Sequence, residues 1–311
     1  MMMAHDRVMT LAALALALTL RTAGSGPAPP ATPVLASSPA AMPLDTVPKT
    51  TTTDSIARVE RRGNAAGELL RIIAPPGTPY AIVHRGKEGQ SVPLHCAERC
   101  EGIYASSYKD PSVLLIEVAG RKILVNQDAR RKETGPLRKP YVAPGDLPSA
   151  KIVVEQGLKR QAFATMVTEP YWRHGYAEPL PGKGSPFGIE RLVEYVRGDR
   201  VVGSEWKTHG GVDIPAAMGA PVKAPLEGIV LLAGKDFYYD GSIVILGHGD
   251  GLYTSYLHLS RIDVRQGQVV RVGERLGLVG ASGYGVTGPH LHWSAKYRDR
   301  LIDPHSLDVL K

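Results

Sequence analysis

Aromatic residues are scarce in this chain, 6% of 311 residues, and cysteine occurs only twice. No run of lysine and arginine with interleaved aromatics is present. That argues against a nucleic-acid partner, although the net charge is +7. The positive excess suits some other polyanion or a membrane surface. No stable membrane span is expected either. The apolar run from Met9 to Leu20 has twelve residues, the length of a signal-peptide core and short of a bilayer crossing. Arg7 precedes it and the small residues Ala23-Gly24-Ser25 follow, so residues 1–25 read as a signal peptide, with an uncleaved anchor as the alternative. No cysteine lies near the end of that segment, which excludes a lipid-modified N-terminus. The expected location is therefore exported, periplasmic or extracellular. In that setting Cys96 and Cys100 are expected to form a disulfide stapling a tight loop. A metal site there would need a further ligand, and only His95 is near.

A hydrophobic content of 43% is enough for a real core, while 34 glycines and 25 prolines favour turns and short strands over long helices. Residues 26–54 hold seven prolines and end in a run of threonines, a composition that reads as a disordered tether. Over 55–133, short apolar runs such as Leu69 to Ile73 and Val113 to Val118 alternate with turn signals, and Ala119-Gly120 marks a hairpin. This predicts a small β-rich accessory domain. The glycine- and proline-bearing stretch 134–149 reads as a linker, and 150–311 as strand after strand. Asp250-Gly251 marks a second hairpin. The fold class expected is all-β, an antiparallel barrel or sandwich.

Chemistry is concentrated in three stretches: His209-Gly-Gly-Val-Asp213, Tyr256-Leu-His258-Leu-Ser260 and Gly288-Pro-His290-Leu-His292. Side chains at i and i+2 of a strand share a face, so His290 and His292 project together. Gly210 and Gly211 allow the backbone to bend so that His209 and Asp213 meet. A catalytic zinc site takes three protein ligands and keeps one position open for water. Spacing alone does not choose three among His209, Asp213, His258, His290 and His292.

In identity, order and spacing these stretches resemble the signatures of the M23 family of zinc metallopeptidases, the lysostaphin or LytM type, over about residues 184–304. The resemblance implies a catalytic domain of the duplicated-hybrid-motif kind. It also implies Zn2+ held by His209, Asp213 and His292, with His258 and His290 as the catalytic pair. The implied activity is hydrolysis of peptide bonds in bacterial cell-wall peptidoglycan through a metal-activated water, with the peptide stems as partner. Which histidine acts as base stays open.

A regulatory or wall-binding protein on the same fold, activating other wall hydrolases, is the alternative. The stretch Val264 to Gly277 also resembles the hammerhead strands of carrier domains, but no lysine flanked by methionines is present for attachment. His248 reads as a turn residue, Tyr256 as packing, and Tyr284 as lining the groove or capping the barrel. Arg191, Arg197 and Arg200 lie in an insertion that would wall or cover the groove. His84, His95, His174 and His305 have no partners at informative spacing.

Overall fold

The computed structural model describes residues 56–63, 65–109, 111–129 and 136–311. The expected signal segment and tether lie outside these residues. Among the described residues, no helix is long and apolar enough to cross a membrane.

The organising sheet runs in the order Val212–Pro215, His290–Tyr297, Leu252–Leu259, Gly241–Gly249, Gly228–Phe237, Val269–Val270, with Arg300–Ile302 added beside His290–Tyr297. All its pairings are antiparallel. A smaller sheet joins Pro221–Lys223, Arg275–Leu278 and Arg261–Ile262. The all-β expectation holds for this part of the chain. Asp250 and Gly251 both have positive φ (51° and 79°), the backbone that an Asp-Gly hairpin turn demands.

Burial follows the pleat. In His290–Tyr297 the residues Leu291, Trp293, Ala295 and Tyr297 are buried, while His290, His292, Ser294 and Lys296 take the other face. Val212 and Ile214 likewise point inward and leave Asp213 on the histidine face. Further across the sheet, beyond Leu252–Leu259, the strand Gly241–Gly249 is buried on both faces. Val244 and Leu246 enter one apolar cluster, Ile243 and Ile245 another.

The second cluster explains an element that hydropathy misses. Strands are expected from residue 150 onward, yet Ser149–Ala164 is an α-helix. Its sequence is rich in Ala, Lys, Gln and Glu, good helix formers. Its apolar residues do not gather on one stripe, however: Val153, Val154 and Leu158 are exposed while Ala162 is buried. The helix docks through Ala162 and Phe163 against Ile243, Ile245 and Tyr253. Burial of Glu155, which accepts the Tyr238 N–H, and an ion pair from Lys159 to Asp240 (2.6 Å) complete the docking.

N-terminal to it, two four-stranded sheets form, built on Leu69–Ala74 paired with Cys100–Ala105 and on Tyr80–Arg85 paired with Leu114–Val118. Cys96 and Cys100 sit opposite each other in register and are joined by a disulfide. This β-rich region shares one apolar cluster with the main sheet. The Tyr297 hydroxyl donates to the Ile103 carbonyl (3.0 Å), and the Leu69 N–H donates to Ser306 Oγ (2.9 Å). His95 meets Asp250 at 2.7 Å, and Trp172 donates to the same carboxylate. Within the stretch read as a linker, Leu137–Pro140 is a strand, paired in parallel with Glu190–Arg197 of the hairpin completed by Arg200–Thr208.

His248 lies fully buried in the sheet. Its Nδ1–H donates to the Glu227 carbonyl (2.6 Å), leaving Nε2 to accept from the Thr254 hydroxyl (2.7 Å), which in turn accepts from Tyr256 (2.8 Å). This chain of bonds satisfies a neutral ring. Burial pushes the ring's pKa down from 6.5 to about 4, against a smaller opposing effect of the Glu227 carbonyl. The unfolded chain therefore takes up a proton first as pH falls, and stability present above pH 6.5 is lost progressively towards pH 4. Urea denaturation should show a loss of about 2 kcal/mol from this residue between pH 7 and pH 5. In His248→Gln that part of the pH slope should vanish.

Candidate metal centre

Strand register assembles the centre. Asp213 lies directly opposite His292, and Pro215 opposite His290. On its other side His292 faces Leu257, next to His258. Three adjacent strands thus bring their functional residues to one end of the sheet. His209 arrives on the segment leading into Val212–Pro215, where its N–H donates to the Ile189 carbonyl and its C=O accepts from Gly188.

Asp213 is the hub. Its Oδ1 is 2.7 Å from His292 Nδ1 and 3.9 Å from His290 Nε2, and its Oδ2 is 3.1 Å from His209 Nε2. Burial alone would raise its pKa. The two imidazoles of His209 and His292 outweigh that and hold the carboxyl far below the ordinary range, fully ionised. His209, Asp213 and His292 each offer a ligand atom, all within 4.8 Å of one another. His258 stands over the cluster, its ring centre 4.9 Å from His290 and 6.0 Å from His292.

The donor set fits a divalent ion. His209 Nε2 is buried and makes no hydrogen bond although the Asp213 carboxylate is within reach. His209 Nδ1 lies 3.1 Å from the Pro186 carbonyl; with the ring proton placed on Nδ1, Nε2 presents a lone pair to an ion. Gly211 supplies the space: a Cβ there would sit 2.6 Å from His292 Nε2 and from the Trp293 carbonyl.

His258 is held in an unusual backbone state, φ 64°, which costs a β-strand residue about 1–3 kcal/mol. Two bonds keep it there. Its N–H donates to the Asp240 carbonyl (2.9 Å), and its ring Nδ1–H to the Ser282 carbonyl (2.8 Å). Burial first, then the neighbouring His292 and His290, push its pKa to about 4, so the ring is neutral at pH 7 with Nε2 free. His290 donates from Nδ1 to the Gly288 carbonyl (2.8 Å), again leaving Nε2 free.

Ser185, Lys159 and Lys139 contribute without a signal in the sequence. Ser185 Oγ accepts the Asp213 N–H (3.2 Å). Lys159 compensates Asp240 from the helix. Lys139 on the strand Leu137–Pro140 is close enough to feel Asp213 and Arg191, and its ammonium pKa is lowered mainly by burial. Arg191, in the insertion expected to wall or cover the groove, reaches Asp213 Oδ2 at 3.4 Å. Tyr256 packs in the core, as its position suggests.

Residues 207–304 match the family described as Peptidase family M23. The chain is 36% identical over 178 residues to the DD-carboxypeptidase/endopeptidase Mpg of Neisseria meningitidis serogroup B, covering 53% of this chain and 40% of that protein. It is 41% identical over 101 residues to the peptidoglycan DD-endopeptidase ShyA of Vibrio cholerae serotype O1, covering 32% and 23%. The chain thus spans about two-fifths of the length of that Mpg protein. A crystal structure from Pseudomonas aeruginosa carrying the peptidase M23 designation superposes with a TM-score of 0.53 at 24% identity, over 79% of this chain and 95% of that one. That likeness is one of fold.

Gly211→Ala should force His292 and the strand behind it aside. Chemical denaturation of the metal-free chain should show a loss of about 1–3 kcal/mol, the cost of overpacking.

Proposed function

We propose, from the match of residues 207–304 to Peptidase family M23, that the protein is an exported zinc metalloendopeptidase that hydrolyses peptide cross-links or bridges of bacterial cell-wall peptidoglycan. The observation that supports this most is the convergence of His209, His290 and His292 on one ionised, half-buried carboxylate, Asp213. Relatives named as peptidoglycan DD-endopeptidases support the substrate class. A chain of net charge +7 also suits an anionic matrix.

In this reading His209 through Nε2, Asp213 through its carboxylate and His292 through Nδ1 hold the ion. Zinc, when bound there, supplies a Lewis acid for the scissile carbonyl and brings the pKa of a water close to neutrality. The protein's own groups do the rest. His258, neutral at pH 7, accepts a proton at Nε2 from the attacking water and holds it for the leaving amine. The Ser282 carbonyl stabilises the proton on the far nitrogen. His290, its ring held by the Gly288 carbonyl, would stabilise the developing oxyanion in its doubly protonated form, with Nε2–H as the donor. Arg191 balances the charge of Asp213 from outside the ligand triangle.

His292→Ala should lose zinc and hydrolysis together, because it removes a ligand. His290→Ala should lose hydrolysis and keep most of the metal. Metal content by atomic absorption, beside the fragments released from purified peptidoglycan, checks both, and the reverse pattern would exchange the two roles. Phenanthroline should abolish hydrolysis and added zinc restore it. Metal-free protein with undiminished effect on other wall hydrolases would instead favour the regulatory reading.

A further inference from the structure

In a chain so poor in aromatics, the loops that hold His258 carry a cluster of them. Tyr238 and Tyr239 immediately precede Asp240, whose carbonyl accepts the His258 N–H. Tyr284 follows Ser282 by two residues, and the Ser282 carbonyl accepts the His258 ring proton. Tyr238 and Tyr284 stack nearly parallel, centres 5.2 Å apart with 9° between planes. Tyr239 meets both edge-on, at 4.8 and 6.2 Å, and is 41% exposed.

The cluster is fixed from below. The Tyr284 N–H donates to the Tyr238 carbonyl (2.7 Å), locking one loop to the other. A Cβ on Gly283 would lie 2.5 Å from the Tyr239 carbonyl, so the two backbones are in contact, and Gly283 has φ 100°. The Tyr284 hydroxyl donates to the Pro140 carbonyl, and Glu155 of the helix accepts the Tyr238 N–H. The adjacent Asp240 is buried and matched by Lys159, so no uncompensated charge from it reaches the rings. Folding alone gives no reason to gather three partly exposed tyrosines beside a reacting centre. A rigid aromatic surface, with Lys139 against the adjoining Gly285, suits a ligand with an apolar flat face and a polar edge. The charged peptide stem is not such a ligand, whereas a pyranose ring is: its axial C–H groups form one face, and its hydroxyl and acetamido groups form the rim.

We propose that Tyr238, Tyr239 and Tyr284 form a stacking platform for an N-acetylated pyranose of the glycan chain that bears the peptide to be cut. This rests on the peptidoglycan reading above and deepens it: the site would engage the sugar strand as well as the stem, holding the peptide at a set distance from His258.

Binding by the full chain, stripped of metal, separates the two ligands. The probes are peptide-free glycan chains of alternating N-acetylglucosamine and N-acetylmuramic acid, and a sugar-free cross-linked peptide dimer, each followed by titration calorimetry. Tyr238→Leu and Tyr284→Leu should weaken glycan binding about tenfold, close to 1.4 kcal/mol, with the peptide dimer bound as by the parent. Tyr238→Trp should retain glycan binding. If a buried-side variant unfolds, the exposed Tyr239→Leu provides the same comparison with a smaller loss. Absence of glycan binding by the parent chain overturns the proposal, as does wild-type glycan affinity in the leucine variants or an equal loss for peptide and glycan. Tyrosine-dependent glycan binding in a protein that cleaves no peptidoglycan, with or without zinc, would leave this platform standing and remove the proposed hydrolysis.

Discussion

The architecture of this protein turns on one carboxylate. Asp213 sits between the imidazoles of His209 and His292 and within 3.9 Å of His290. An ionised group so placed, partly removed from water, is tolerable only while its cationic or metal partners stay in position. The rest of the main sheet serves that requirement. Antiparallel register puts Asp213 across from His292, and the inward set Leu291, Trp293, Ala295 and Tyr297 prevents the strand from slipping. A slip of one residue would send both histidines into the core. Register is therefore secured by apolar burial, and the site inherits its precision from the core.

Around this hub the histidines share a tactic. His209, His258 and His290 each set Nδ1 against a backbone carbonyl, of Pro186, Ser282 and Gly288. Backbone acceptors fix ring orientation without adding charge. His292 differs, because its Nδ1 faces Asp213 itself. The distinction separates the rings by what their remaining nitrogen can do. His258 stands further apart in having a left-handed backbone, held by the Asp240 carbonyl, and Asp240 is in turn anchored by Lys159 of the helix. A helix well outside the signature stretches thus contributes to the placement of a ring at the centre.

Much of this was legible in the chain. The alternation in His290 to Tyr297 reads directly as a half-buried strand with both histidines on one face. Asp250-Gly251 and Ala119-Gly120 read as hairpin turns because few other pairs accept their positive φ. The helix Ser149–Ala164 was not legible, since Val153, Val154 and Leu158 point to solvent and no apolar stripe announces it. The strand Leu137–Pro140 was hidden for a related reason: its parallel pairing with Glu190–Arg197 is non-local and its side chains are largely polar. Neither the Arg191–Asp213 contact nor the Lys159–Asp240 pair has a sequence spacing that would suggest it.

By itself the sequence determined the chemical inventory: one carboxylate and four imidazoles at strand spacing, glycines where the backbone must come close, and a core pattern of period two. Those are local properties, set by alternation of side chains and by which residues accept a given φ. Only the tertiary structure decided which nitrogen of each ring faces the centre, which carbonyl holds it, and which tyrosines, lysines and arginines stand around it. These depend on pairings between residues tens of positions apart, and cross-strand register and loop contact are physical relations that no local pattern encodes.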